Sequence, residues 1–101
     1  MEGVRVTEYM RFVYGQIGEA VGLAQRDLRR GVLPRDVQPR LPYGRAEGSL
    51  RRDMLNMTRT GMLVRVGGYG ARRGYRLPTP MERLSWMVNR GRWPVYTELA
   101  D

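Results

Sequence analysis

Hydrophobic positions recur along this chain at helical spacing in three places. Met10, Val13, Ile17, Ala20, Ala24 and Leu28 follow one another by three or four residues, which is one face of an α-helix. Thr7 stands where an N-cap belongs, so a helix is expected to start there and run toward residue 30, with Gly31 closing the region. Gly15, Gly18 and Gly22 form a second stripe on it, although each interior glycine costs roughly 1 kcal/mol relative to alanine. Either another helix, from a second subunit, packs closely on that stripe, or Gly22 ends one helix and Leu23 begins the next.

Prolines at 34, 39 and 42 rule out a long helix in the stretch that follows. Asp36 is placed to cap a single turn carrying Val37 and Leu41, with Pro39 tolerated in that first turn. Over residues 45–60 the pattern is cleaner: Ala46, Leu50, Met54 and Met57 share one face of a helix about four turns long. Gly61 occupies the C′ position. Residues 62–66 read as a strand, and 75–77 can pair with it across the loop "GGYGARRG". "TPME" at 79–82 then supplies an N-cap, a proline at N1 and a capping-box glutamate. Met81, Leu84 and Val88 form the apolar stripe of this last helix, which Gly91 ends. In the tail, Trp93 and Tyr96 are expected to dock on the body or on a partner.

The outward side of the 45–60 helix reads Arg45, Ser49, Arg52, Asn56, Arg59, with no carboxylate in the stripe and Glu47 and Asp53 off to the sides. Arginine can take guanine O6 and N7 together, and asparagine adenine N6 and N7. The stripe therefore suits a base-reading surface in a major groove; the alternative is a solvated face on an arginine-rich protein.

Composition sharpens this. The 101 residues are 42% apolar and 28% charged, as in a globular chain with room for one core. Net charge is +8, and all 18 basic residues are arginine. Base composition of a genome can explain arginine over lysine, but not the excess of base over acid, which points to a polyanionic partner. The chain has neither cysteine nor histidine, so thiol and imidazole chemistry and the usual zinc ligands are excluded. Its ten carboxylates make no two-metal cluster, and Ser49 and Ser85 lie inside helices. No catalytic residue, metal or cofactor is expected. The glycines of "GGYGARRG" do not make a dinucleotide fingerprint, because "YRLP" after them reads as a strand and not a helix. Neither a secretory signal nor a membrane-spanning run is visible, so a cytoplasmic location is expected, on the nucleoid if the partner is DNA.

Helix, "TGMLVRV", a glycine-rich basic loop and then "GYRLP" is an order that resembles the winged helix-turn-helix superfamily of bacterial regulators. The resemblance rests on "SLRRDMLNMTRTGMLVRVGGYGARRGYRLPTP", residues 49–80. It implies an α+β, mostly helical fold with a small antiparallel β-hairpin wing, a long N-terminal helical segment and a C-terminal helix. Residues 1–101 would form a single domain, with a core of about 7–78 and the last helix and tail at 79–101. The second helix of the motif would be the proline-rich 34–41 stretch, shorter than is usual, and the turn "PYGRAEG" after it is long.

By the same resemblance the 45–60 helix is the recognition helix and residues 67–74 are the wing. Arg45, Ser49, Arg52 and Asn56 are then expected at DNA bases. Arg51, Arg59, Tyr69, Arg72 and Arg73 would meet the backbone or minor groove. The expected function is sequence-specific binding of duplex DNA by a small transcriptional regulator or a mobile-element accessory factor. A homodimer on a symmetric site is expected, formed through the glycine-striped helix, the C-terminal helix and tail, or both. An RNA- or ribosome-associated role and a winged-helix protein-interaction module are the alternatives.

Overall fold

A computed structural model describes residues 7–26, 30–42, 44–67, 74–89 and 91. Among these residues the chain is mostly helical with one small antiparallel sheet. The order is α1 (Glu8–Ala24), α2 (Pro34–Val37, continued by a 3-10 turn at Gln38–Arg40), α3 (Glu47–Arg59), β1 (Val64–Val66), β2 (Gly74–Arg76) and α4 (Pro80–Val88).

Helix α1 begins as its sequence dictates, with the Thr7 hydroxyl accepting from the Met10 amide at 3.1 Å. It runs unbroken past all three glycines, so Gly22 does not divide it. It stops at Ala24, short of the expected end, because Gln25 is extended and its side-chain oxygen is held by the Leu77 amide at 2.9 Å. A Cβ on Gly15 or Gly18 would meet nothing within 4 Å, whereas one on Gly22 would stand 3.3 Å from Leu77, so among the described residues only the Gly22 end of that stripe is packed.

Helix α2 is the short turn expected, with its parts rearranged. Pro34, not Pro39, occupies the first turn, and Asp36 acts from inside the helix, its carboxylate accepting the Leu33 amide at 3.1 Å. Pro39 lies in the 3-10 turn.

Helix α3 is two residues shorter at its start than its polar stripe suggested, with Ala46 exposed at the N-cap. At its end Gly61 takes φ +80°, and the Met62 amide reaches back to the Met57 carbonyl at 2.8 Å, a Schellman close.

Val13, Tyr14, Ile17, Ala20 and Val21 of α1 meet Val37, Leu50, Met54, Met57, Leu63 and Tyr75 in one core. The strands pair Val64 with Arg76, Arg65 with Tyr75 and Val66 with Gly74, one residue earlier on the second strand than expected. On the other side of β2 a third chain segment joins. Val32 and Tyr75 exchange both backbone hydrogen bonds, at 2.7 and 2.9 Å. This pairing brings Gly31 and Gly74 so close that a Cβ on either would collide with the backbone of the other. Gly74 thus serves approach to Gly31 from within a strand.

Helix α4 carries the expected capping box, with the Thr79 hydroxyl and the Glu82 carboxylate each accepting the other's amide. Its rotation is the opposite of what its stripe implies. Met81, Leu84 and Val88 face solvent, and Glu82, Ser85 and Trp86 are the half-buried side. The cause is a pair of anchors. Arg76, 1% exposed, donates to both oxygens of Glu82 at 2.6 Å, and the Trp86 ring covers Gly61, where a Cβ would stand 2.7 Å from it. No described helix is long and apolar enough to cross a membrane.

Candidate functional site

The outer surface of α3 is fixed by what its inner surface buries. Leu50, Met54 and Met57 are wholly buried and Asp53 and Thr58 nearly so, which leaves Gly48, Arg51, Arg52 and Arg59 on the opposite side with half-buried Leu55 among them. The centre of the exposed face is therefore displaced from the expected stripe. Arg51 belongs to it, while Ser49 and Asn56 sit on a half-buried shoulder.

The individual side chains differ in how free they are. Arg52 is exposed, and no carboxylate among the described residues lies within ion-pair distance of it. Arg51 holds Glu47 one turn back at 2.9 Å, an exposed pair worth a few tenths of a kcal/mol that a phosphate would readily displace. Arg59 donates to the Asn56 side-chain oxygen over a long 3.5 Å.

Arg45 departs from expectation. It precedes the helix, and its Nε donates to Asp53 at 2.6 Å with both side chains largely covered. Its carbonyl accepts from the Gln38 side chain at 2.7 Å, so this residue ties the turn before α3 to α2. Asp53, set aside in the sequence as a flanking acid, is the buried partner that holds it. The spacing of eight residues spans the start of the helix, which is why no helical pattern reveals the pair.

Asn56 is also drawn inward. Beneath it the Tyr14 hydroxyl is buried without a hydrogen bond of acceptable geometry. Burial, and after it the charge of Asp53, pushes the Tyr14 phenol above its usual pKa of 10.0, while the nearby Asn56 amide opposes the rise.

Two further positive features lie outside the helix. Arg65 of β1 is exposed and stacks over the Tyr75 ring, 5.8 Å from its centroid. Around α2, Arg26, Arg30 and Arg40 line an open cleft with Asp36, whose carboxylate is occupied by the Leu33 amide. Neither group stood out in the sequence, because their members come from separate elements. Tyr69, Arg72 and Arg73 of the expected wing lie outside the described residues, as do Leu28 of the first apolar stripe and the 92–101 tail with Trp93 and Tyr96.

No group of three metal-ligating side chains occurs among the described residues. No protein-family model, curated protein or solved structure matches this chain.

Proposed function

We propose that the exposed face of α3 enters the major groove of duplex DNA, in a winged helix-turn-helix arrangement, and that the protein acts as a small sequence-specific regulator. The observation that carries this is the composition of that face. Arg51, Arg52 and Arg59 stand outward on a helix whose other side is locked into the core, and among the described residues Glu47 is the one carboxylate that pairs with any of them. A solvated surface helix ordinarily mixes acids and bases, and this one concentrates guanidinium groups where a groove would receive them.

The element order supports the arrangement. Helix, the Val32 bridge, short helix, long helix and two antiparallel strands follow in sequence, with Val32 on the free edge of β2. Such an order is the one a winged helix-turn-helix requires.

Within this reading Arg52 takes a base edge directly, and Ser49 and Asn56 reach bases from the shoulder. Arg45 positions the start of α3 through Asp53 and does not read. Arg51 and Arg59, with Tyr69, Arg72 and Arg73 of the wing, meet the backbone or minor groove. The cleft arginines Arg26 and Arg40 add phosphate contacts beside α2.

The test is fluorescence anisotropy against a randomised duplex pool at several salt concentrations, followed by sequencing of the retained fraction. Log affinity should fall with log salt by roughly 0.9 per phosphate contacted, and a motif should be enriched. Arg52→Ala should lose about 1–3 kcal/mol and relax one base position, whereas Arg59→Ala should weaken every sequence alike. Steep salt dependence without a motif would replace this function with architectural or RNA binding. No binding near physiological salt would exclude duplex DNA and hand the arginine face to the protein-interaction module.

A further inference from the structure

Helix α4 presents its apolar side to water. Met81, Leu84, Met87 and Val88 are 73, 55, 70 and 72% exposed. They lie at successive helical spacings, so they form one stripe with no charge in it, and Arg83 stands at its edge. The helix cannot roll over to cover them. Its other side is held by the buried Arg76–Glu82 pair and by Trp86 against Gly61, and breaking such a pair leaves a charge buried alone. Contiguous apolar surface of this kind on a soluble domain marks an interface.

We propose that this face pairs with the same face of a second copy, α4 against α4, antiparallel about a two-fold axis. Three features choose that occupant. The spacing is self-complementary: Met81 and Met87 lie three residues to either side of Leu84, so an axis through Leu84 brings Met81 of each copy against Met87 of the other. The stripe is uncharged on a chain of net charge +8, so two copies can meet here without opposing their arginines, whereas an acidic partner would be drawn to α3 instead. Methionine adapts its shape to an apolar partner, and two of the four residues are methionine.

Size sets the strength. Nine residues make a helix about 13 Å long and about 10 Å wide, well short of the roughly 800 Å² per partner of a stable complex. The dimer is therefore weak in solution, with Kd on the order of 10–1000 μM. A symmetric duplex would tighten it by holding both copies, but the pairing itself does not depend on the DNA reading.

Sedimentation equilibrium across that concentration range tests it. The mass should rise from one chain toward two, and Leu84→Glu should weaken association at least tenfold while leaving the melting curve of dilute protein unchanged. A second variant does not depend on that change being tolerated. Because the chain has no cysteine, Leu84→Cys should form a disulfide-linked dimer under mild oxidation, whereas Leu23→Cys, on exposed α1 surface, should not.

A single-chain mass at every concentration would overturn the proposal and leave the stripe to the 92–101 segment or to an unlike protein. Equal association by wild type and Leu84→Glu, with no cross-link at 84, would move the interface elsewhere. Arg52→Ala should not change the mass, which separates failure of the dimer from failure of DNA binding.

Discussion

Helices α3 and α4 are both amphipathic, and they are used in opposite ways. In α3 the apolar residues Leu50, Met54 and Met57 are completely buried and the arginines look outward. In α4 the apolar residues look outward, and the side that faces the body carries Glu82, Ser85 and Trp86. The difference lies in the anchors. Helix α3 has apolar neighbours on α1 and α2 to receive its stripe. Among the described residues helix α4 is anchored by the buried Arg76–Glu82 pair and by the Trp86 ring seated on Gly61, and these fix its rotation whatever its remaining surface prefers. Periodicity predicts that a helix exists and which residues share a face. It does not say which face is turned inward.

The comparison breaks most severely at Arg76. Replacing it by alanine leaves Glu82 without its partner, and loss of half of a buried pair costs about 3–5 kcal/mol. Glu82 keeps some contact with water, its side chain being 18% exposed, so the low end of that range is expected in urea unfolding.

The two stripes can be compared directly by truncation. Met54→Ala should lose about 2–5 kcal/mol, as deletion of a fully buried side chain does. Leu84→Ala, measured on dilute protein, should stay within about 0.5 kcal/mol. Equal losses would mean that the α4 stripe is covered in the monomer.

A smaller effect is expected from pH. Hydrogen bonding from Arg76 holds the Glu82 carboxyl below its ordinary value of 4.5, against the opposing pull of burial. Because the folded state has the lower pKa, the stabilisation is fully present above pH 4.5 and is lost as pH falls through that value toward the depressed one. Stability against pH should show this acid limb in the wild type, and Glu82→Gln should flatten it.

The smallest change concerns α1. A Cβ at Gly15 or Gly18 enters open space, so Gly15→Ala and Gly18→Ala should each stabilise the fold by about 0.5–1 kcal/mol. If either weakened self-association while stabilising the monomer, the dimer surface would shift from α4 to the glycine stripe.

Much of the local structure was legible. Thr7, Gly61 and the Thr79–Glu82 box marked three helix boundaries because capping is a matter of a few adjacent residues and their hydrogen bonds. The arginine-bearing helix followed from the three- and four-residue spacing of Leu50, Met54 and Met57. The Val32–Tyr75 bridge was not legible, since one residue in a bridge has no period, and its requirement for Gly31 and Gly74 arises only when distant segments cross.

The sequence by itself therefore determined three helix boundaries, at Thr7, Gly61 and Thr79, the preponderance of arginine and the absence of thiol and imidazole chemistry. Each of these is a local or a summed property of the chain. Tertiary structure decided which arginines are held and which are exposed. It withdrew Arg45 to Asp53, drew Asn56 toward Tyr14, brought Arg51 onto the outer face and buried Arg76 against Glu82. It also turned the apolar side of α4 to solvent. The reason is common to all of these: a side chain's surroundings are set by residues remote in sequence, and the energy of burying a charge depends on whether its partner is brought there with it.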